Sequence, residues 1–299
     1  MTDDPPTHGW EDWTWDETVF AGTAPYYRQG RKPYAPALAE ALAAHVSLEG
    51  EPRLLDVGCG PGNVALLFAQ LFDRVVGLDP DPGMVAEATR AAAEEGVDNV
   101  TWVQMRAEDL PASLGTFRVI SFGQSFHWMD RPRVAAAVRD MLDPPGAVVQ
   151  VDLWHASPPD QPPLLGIDTT DGRRSGPHPA VPEAAIDELR RRWLGPHRRA
   201  GQGFRDTSPS GEDQVFQSAG FEPEEIVVVP DDRRLTRSVD DVVAWVLSTS
   251  STAPHLFGDR LVDFVQELRT LLLQASPDGL FSVALSDNRL LVRKLAPPA

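Results

Sequence analysis

Short apolar runs alternate with amphipathic stretches along the first half of the chain. The apolar runs predict strands near residues 53–57, 75–79, 100–105, 117–122 and 147–153. Apolar residues at helical spacing predict helices near 36–45, 63–72, 83–95 and 131–142. Such alternation is typical of a parallel sheet with helices on both faces, in which each crossover connection is right-handed.

The pattern changes after residue 154. Residues 155–205 are rich in proline and arginine and contain one helical stretch, near 182–194, so we interpret them as an insertion. The sheet pattern then resumes. Its later elements are predicted as helices near 212–218, 239–247 and 260–273 and strands near 225–229 and 289–293.

A glycine-rich turn follows the first predicted strand, in the run Leu54-Leu55-Asp56-Val57-Gly58-Cys59-Gly60-Pro61-Gly62-Asn63. Glycine lets the backbone approach a ligand where a Cβ would collide, and the following helix N-terminus adds partial positive charge. The turn therefore suits a carboxylate, a ribose or a phosphate.

Spacing excludes two better-known loops. A phosphate-binding P-loop needs a lysine after its glycines, but no lysine occurs between Lys32 and Lys294. A dinucleotide fingerprint needs a third glycine where Asn63 stands. Asp79 ends the second strand about 20 residues after the first glycine, where a carboxylate accepts hydrogen bonds from a ribose. A nucleoside-containing ligand is implied.

Four stretches in this order resemble class I S-adenosylmethionine-dependent methyltransferases, in particular the small-molecule branch similar to the type 11 methyltransferase domain. They are Leu54–Gly62, Val76–Asp79, Ala107–Pro111 and Phe117–Trp128. The segment Tyr26–Tyr34 resembles the family more loosely. The resemblance implies a doubly wound, Rossmann-like α/β fold with a seven-stranded, mostly parallel sheet whose last strand is antiparallel. It also implies S-adenosyl-L-methionine as cofactor and S-adenosyl-L-homocysteine as product.

The same resemblance suggests how the chain is organised. We expect an N-terminal arm or lid over residues 1–35. The cofactor-binding core is expected at 36–154, 206–235 and 279–299. The insertions 155–205 and 236–278 are expected to form a cap that selects the substrate, above the carboxyl ends of the strands.

Several cofactor contacts are implied by the family. The backbone around Gly58, Gly60 and Gly62 would meet the methionine portion, and Asp56 would hold its ammonium directly or through water. Asp79 would bind the ribose. The alternatives are a simple tight turn for the glycines and a helix N-cap for Asp79.

The residues expected around the adenine match the family pattern less closely. Pro80 and Met84 are expected to line the ring, with a core position as the alternative for Met84. Ala107 and Glu108 are the first choice for contact with the adenine amino group, ahead of Asp109. Many relatives have an aspartate where this chain has Arg106, which cannot accept a hydrogen bond. Helix capping is the alternative for either acid.

Residues after the fourth strand should border the reacting methyl group. Gln124 is expected to touch the methionine moiety, and His127 is the best-placed general base, with packing beside Phe126 as the alternative. Tyr26 and Arg31 resemble the family segment that closes over the cofactor, or else form a surface cap. The Asn/Asp-Pro-Pro-aromatic tetrad typical of amine and amide methylation is absent.

Composition narrows the function. Lys+Arg 27 against Asp+Glu 44 gives the 299-residue chain a net charge of −17, which disfavours nucleic acid and anionic membranes. A lone cysteine, Cys59, forms no intramolecular disulfide, and no apolar run approaches the ~18 residues of a membrane span. We predict a cytoplasmic protein without a metal site, with a homodimer as one option for its assembly.

Arginines concentrate in the first insertion. This suggests a site for an anionic acceptor such as a carboxylate, although a solvated helix face is the plainer interpretation. They are Arg173, Arg174, Arg190, Arg191, Arg192, Arg198, Arg199 and Arg205.

Together these observations predict an enzyme that methylates a small organic acceptor, with oxygen in a carboxylate or hydroxyl as the preferred nucleophile. RNA or protein methylation is the alternative among enzymes, and a non-catalytic S-adenosylmethionine-binding regulator is the alternative from another class.

Overall fold

The structure is a computed structural model that describes residues 16–153, 176–205 and 211–297. Predictions for residues 1–15, and for Arg173 and Arg174, lie outside the described residues. The strands are β1 Arg53–Val57, β2 Arg74–Asp79, β3 Val100–Gln104, β4 Phe117–Gly123, β5 Leu142–Leu153, β6 Arg199–Ala200, β7 Gly203–Phe204, β8 Glu225–Val229, β9 Arg234–Ser238, β10 Leu280–Ala284 and β11 Asn288–Lys294.

The α-helices follow the apolar periodicity, and three short helical turns of the 3₁₀ type also bear on the site, because one continues the helix after β1 and two follow the strands β3 and β4. The α-helices are α1 Ala24–Gly30, α2 Leu38–His45, α3 Asn63–Phe68, α4 Pro82–Glu95, α5 Arg131–Asp140, α6 Glu183–Leu194, α7 Glu212–Ser218, α8 Val239–Leu247 and α9 Leu261–Ala275. The 3₁₀ turns are Ala69–Leu71, Ala107–Asp109 and Phe126–Trp128.

Seven strands form the main sheet in the order β3-β2-β1-β4-β5-β11-β8. The first five pair in parallel, and β11 runs antiparallel to both of its neighbours. Two apolar cores cover opposite faces of this sheet. One is formed with α2 and α3, and the other with α5 and α7. The predicted α/β fold class, with seven mostly parallel strands and helices on both faces, is confirmed.

The chain divides into two compact units. The sheet unit contains the main sheet and comprises residues 32–153, 211–231 and 286–297 of the described chain. The helical unit comprises residues 16–31, 176–205 and 232–285, and its own core is built largely on α6, α8 and α9.

Two features of the helical unit differ from the sequence-based expectation. Helix α1 begins at Ala24, in a segment for which no helix is predicted from the sequence. Strand β10 pairs with β9 in an antiparallel hairpin separate from the main sheet, although residues 279–299 were all expected in the core. The core boundaries found here therefore differ from the expected ones, because pairing with a strand about 40 residues away is a tertiary effect that local pattern does not encode. The role of this unit as a substrate cap stays a prediction.

Candidate cofactor-binding site

The loop between β1 and α3 adopts backbone angles that favour glycine. The φ angles of Gly58, Gly60 and Gly62 are 66°, 53° and 85°, all in the left-handed region. L side chains rarely adopt this conformation, so the three glycines determine the path of the loop. It follows the carboxyl end of β1, the edge of a parallel sheet where ligands bind.

The three glycines differ in what surrounds them. A Cβ added at Gly58 would lie 2.7 Å from Cβ of Ser125, and one at Gly62 would lie 2.6 Å from the Trp102 ring. An added Cβ at Gly60 would meet no atom within 4 Å in the described part of the chain. Gly58 and Gly62 are therefore required by packing, while Gly60 presents bare backbone to open space, as close approach of a ligand requires.

Asp79, at the end of β2, holds this loop from the side. Its Oδ2 accepts a hydrogen bond of 2.9 Å from the Gly60 amide, and its Oδ1 accepts one of 2.9 Å from the Asp81 amide. Burial raises the pKa of Asp79 to about 6, against the lowering effect of these two hydrogen bonds. Each carboxylate oxygen keeps a second lone pair, so the side chain can still accept hydrogen bonds from a ribose.

The alternative role for Asp79 as a helix cap is wrong. Asp81 caps α4 instead, because its Oδ1 accepts hydrogen bonds from the amides of Gly83 at 2.7 Å and Met84 at 3.1 Å. The Asp-Pro pair at residues 81 and 82 carries this signal in the sequence, since proline favours the first helical position. Met84 is itself buried, with 3% of its surface exposed.

Asp56 lies beneath the loop and has only 1% of its surface exposed. Its Oδ1 accepts a hydrogen bond of 2.7 Å from the Ser121 hydroxyl, and its Oδ2 accepts one of 3.1 Å from the Ala65 amide. Burial raises its pKa to about 7, and the nearby charge of Asp79 raises it further. Asp56 thus joins β1, β4 and the first turn of α3; contact with the cofactor ammonium stays a prediction.

The chain after β4 turns sharply past the loop. Gln124 is exposed and has a φ of 53°, which a non-glycine residue rarely adopts. The Ser125 hydroxyl then donates a hydrogen bond of 2.6 Å to the Val57 carbonyl, which joins this turn to the end of β1. Phe126 packs at this turn, where its ring stacks on Phe216 with ring centres 4.4 Å apart.

His127 follows in the same 3₁₀ turn and is partly buried, with its ring centre 5.1 Å from that of Trp128. Its role as a base stays a prediction. Glu108 Oε1 accepts a hydrogen bond of 2.9 Å from the amide of Asp130, the residue that caps α5. The adenine contact of Glu108 and its alternative as a helix cap both stay predictions.

The remaining predicted residues have the following places. Pro80 is partly buried directly after β2, and Ala107 is buried in the α5 side of the core. Tyr26 and Arg31 belong to the helical unit, where Tyr26 packs on the apolar core and Arg31 donates a hydrogen bond of 2.7 Å to the Ser248 carbonyl. Their contact with a cofactor stays a prediction.

Three arginines of the first insertion are engaged within the helical unit. Arg190 has 2% of its surface exposed and donates to Asp187 Oδ1 at 2.9 Å. Arg191 donates to the other oxygen of Asp187 at 2.7 Å. Arg192 pairs with Glu267 at 2.7 Å. These contacts favour a structural role over an anionic acceptor site for this trio.

Sequence reasoning missed Trp102, and it gave Ser121 and Ser125 no role beyond their place in the segment 121–128, which is expected to border the reacting methyl group. Trp102 pairs in register with Gly77, where an added Cβ would lie 2.4 Å from the indole, and the same ring covers Gly62. A glycine inside a predicted strand was the available signal, since it marks a close approach. The two serines donate hydrogen bonds to Asp56 and Val57 of β1, and no local pattern in the sequence indicated these contacts.

No helix in the described ranges is both long and apolar enough to cross a membrane. Within those same ranges, no three His, Cys, Asp or Glu side chains are grouped so that they could hold a metal ion.

Residues 54–146 match the family model described as a methyltransferase domain. This part of the chain is a methyltransferase domain. The match contains the glycine loop, Asp79 and the turn after β4, and it confirms the identification of a class I S-adenosylmethionine-dependent methyltransferase domain with that cofactor.

Relatives of this chain also carry the names of methyltransferases. The uncharacterized methyltransferase YcgJ of Bacillus subtilis is 32% identical over 147 residues, which are 48% of this chain and 57% of YcgJ. The YcgJ crystal structure aligns with a TM-score of 0.47 and 21% identity, over 87% of this chain and 98% of YcgJ.

Two further relatives have named substrates. A malonyl-[acyl-carrier protein] O-methyltransferase of Enterobacter lignolyticus is 29% identical over 131 residues, which are 44% of this chain and 50% of that protein. The trans-aconitate 2-methyltransferase of Escherichia coli is 32% identical over 121 residues, which are 38% of this chain and 44% of that protein. This chain thus spans about half the length of the curated relatives it matches.

Proposed function

We propose that this protein transfers the methyl group of S-adenosylmethionine to an oxygen atom of a small organic acceptor. The observation that carries the proposal is the loop at Gly60, where bare backbone faces open space beside a carboxylate that orients it. The positive φ of Gly60 by itself only favours glycine; what points to a ligand is that this unobstructed backbone lies beside the Asp79 carboxylate, which keeps free lone pairs.

The residues present fit the cofactor. Asp79 would bind the ribose through its remaining lone pairs, and the Gly60 backbone would lie against the ligand. Asp56 would act on the ammonium through its negative charge. When bound, the cofactor supplies a methyl group on a sulfonium with a good leaving group. The protein then contributes mainly by orienting the reactants and excluding water.

Two observations support a small acceptor methylated on oxygen. The net charge of −17 opposes the approach of a phosphate backbone. Two relatives carry names that specify malonyl-[acyl-carrier protein], methylated on oxygen, and trans-aconitate. When the acceptor carries a proton, a base must remove it, and His127 is the candidate that the sequence offers for this role.

Calorimetric titration tests the first half of the proposal. We expect heat of binding from both S-adenosylmethionine and S-adenosylhomocysteine, and a much weaker signal after Asp79→Ala. An exposed acid in the same unit, Asp140, provides the matched control Asp140→Asn. No binding of either ligand to the unmodified protein would overturn the proposal.

Label transfer tests the second half. The protein is incubated with methyl-labelled cofactor and, in parallel, with a small-molecule extract, with RNA and with a protein extract. We expect label in the small-molecule pool. Label in RNA or protein would replace this proposal with macromolecular methylation, and binding without any transfer would favour a non-catalytic regulator.

A further inference from the structure

A second polar site lies in the sheet unit, at the carboxyl end of β5, outside the residues assigned to the cofactor. Val151 pairs with Gly123 across the parallel strands β4 and β5. Asp152 is therefore one residue farther toward the carboxyl end, beside Gln124, the first residue after β4. Both follow the sheet edge where ligands of open α/β sheets bind.

Strand order indicates what should lie over this position. Asp79 and Gly60 locate the ribose near β2 and β1, and the next strands in the sheet are β4 and then β5. Neighbouring strands are about 4.8 Å apart, so β5 is about 10 Å from β1. An acceptor that meets the methyl group beyond the ribose would therefore reach the ends of β4 and β5.

Asp152 differs from the other buried acids of this unit in its partners. It is partly buried, and no hydrogen bond joins its carboxylate to another residue of the described ranges. Asp56 and Asp79, by contrast, each have both oxygens bonded to the protein. The oxygens of Asp152 are therefore available to accept a hydrogen bond from a ligand.

The neighbours of Asp152 are held in place by a separate network. Gln150, which is on the same face of β5 as Asp152, donates a hydrogen bond of 2.6 Å to Glu212 at the start of α7. The buried Arg293 donates to Gln150 Oε1 at 2.5 Å and pairs with Glu224. Arg293 is thus engaged by other groups, and Glu212 has a fixed position.

The charges that face Asp152 come from three elements. Burial is the main cause that raises its pKa, to about 6. Glu212 on α7 and Glu224 before β8 raise it further, whereas Arg289 and Arg293 on β11 lower it. Asp152 is consequently ionised at neutral pH, yet basic enough to accept a proton close to the operating pH.

We propose that Asp152 is the residue that contacts the methyl acceptor and takes its proton, and that the acceptor therefore presents a hydroxyl group and not a carboxylate. This inference rests on the proposed function. The hydroxyl proton goes to Asp152 as the oxygen lone pair bonds to the methyl carbon. The bond from that carbon to sulfur breaks with its electron pair left on sulfur. Asp152 later releases the proton to water.

The preference against a carboxylate acceptor follows from charge. Such an acceptor carries no proton for Asp152 to remove, and the charge of Asp152 itself would repel it at close range. The more distant charges of Glu212 and Glu224 are opposed by those of Arg289 and Arg293 and do not decide the preference. A hydroxyl group instead supplies the hydrogen-bond donor that the Asp152 carboxylate lacks in the described residues.

The first experiment asks whether mild base removes the methyl group from the labelled product, and it does not require the acceptor to be known. Labelled product from the small-molecule extract is treated with mild base, which hydrolyses methyl esters to volatile methanol and leaves methyl ethers intact. We expect base-stable label. Base-labile label would overturn this inference while leaving the proposed function in place, whereas no label in any pool would overturn the proposed function itself.

The second experiment uses Asp152→Asn, with Asp152→Glu as the conservative variant and Asp140→Asn as the control. We expect Asp152→Asn to keep its affinity for S-adenosylhomocysteine and to lose transfer by about 10²–10⁴-fold. Asp152→Glu should recover part of the rate. At saturating cofactor, wild-type transfer should decline as the pH falls through about 6, where Asp152 becomes protonated, and the residual transfer of Asp152→Asn should lack this decline. Saturation with cofactor removes the contribution of Asp79, whose pKa is also about 6. Unchanged transfer by Asp152→Asn would overturn the proposal.

A third measurement is independent of turnover. Carboxyl carbon NMR of the cofactor-free protein should show signals of Asp79 and Asp152 titrating near pH 6, of which only that of Asp152 is missing in Asp152→Asn. Addition of the chromatographic fraction that acquires label should shift the Asp152 signal in the wild type. If the Asp152 signal does not shift when the fraction is added, Asp152 has only a structural role, and the proposal is overturned.

Discussion

Replacing Gly60 by alanine tests whether the open face of the loop receives the cofactor. The φ of Gly60 is 53°, so a side chain there costs about 1–2 kcal/mol in backbone strain. The added methyl group would contact no other atom of the described residues. The free energy of unfolding should therefore fall by about 1–2 kcal/mol and no more.

The chain provides a matched control at the end of α4. Gly96 has a φ of 68°, and an added Cβ there also has no atom of the described chain within 4 Å. Gly96→Ala should thus lose a similar free energy of unfolding. Gly62→Ala should lose more, because its Cβ would lie 2.6 Å from the Trp102 ring and overpacking adds about 1–3 kcal/mol.

Of the two variants matched for backbone strain, Gly60→Ala and Gly96→Ala, only Gly60→Ala should weaken cofactor binding. A methyl group placed between the loop and a ligand in van der Waals contact should raise the dissociation constant at least tenfold, or about 1.4 kcal/mol. Calorimetric titration with S-adenosylhomocysteine, combined with urea unfolding, measures both quantities. If Gly60→Ala and Gly96→Ala bind this ligand equally well, the loop does not contact it as inferred.

Three further predictions concern buried charges. The pKa of Asp56 is about 7 in the folded protein, against an ordinary value of 3.8. The protonated acid therefore stabilises the folded state fully below about pH 4, and this stabilisation is lost as the pH rises to about 7. The loss amounts to about 4 kcal/mol. Asp56→Asn should reduce the pH dependence of the free energy of unfolding, measured in urea, over this range; an unaltered pH dependence would contradict the raised pKa of Asp56. Asp79→Asn leaves one acceptor oxygen for two backbone amides, so S-adenosylmethionine affinity should fall at least tenfold by calorimetry; equal affinity would exclude the ribose role. Arg293→Met leaves Asp213 and Glu224 without their cation and should lower the free energy of unfolding by about 3 kcal/mol; a loss below about 1 kcal/mol would show that the network contributes little.

The neighbouring Lys294 is the control for the last of these variants, because it is exposed on the same strand. Lys294→Met should change the free energy of unfolding by less than about 0.5 kcal/mol. Asp140→Asn is the corresponding control for the two aspartates.

Local pattern was sufficient for most of the main sheet. The strands near 53–57, 75–79 and 225–229 and the helix near 239–247 were predicted almost to the residue. Apolar runs and turn residues determine these elements locally, and packing on the sheet does not oppose the preference. The observed β5 is longer than its predicted span of 147–153, because Leu142 already pairs with Phe117 of β4.

The sequence indicated the role of one acid, Asp79, better than that of another, Glu108. Position at a strand end indicated Asp79 from the sequence, and the structure adds that its two oxygens are bonded to the amides of Gly60 and Asp81. For Glu108, position suggested adenine, whereas the structure shows a bond to the start of α5. A carboxylate near a strand end serves either purpose, and only the atoms that surround it decide between them.

By itself, the sequence determined the order of strands and helices, the glycine loop after β1 and the acid that ends β2. These depend on residues close together in the chain, whose backbone preferences and apolar spacing act over a few residues. Tertiary structure alone decided that Gly60 is the open glycine of the three, that β9 pairs with β10, and that Asp152 faces Glu212 and Arg289. These facts depend on which distant side chains fill the space around each group, and burial and charge act through that space and not along the chain.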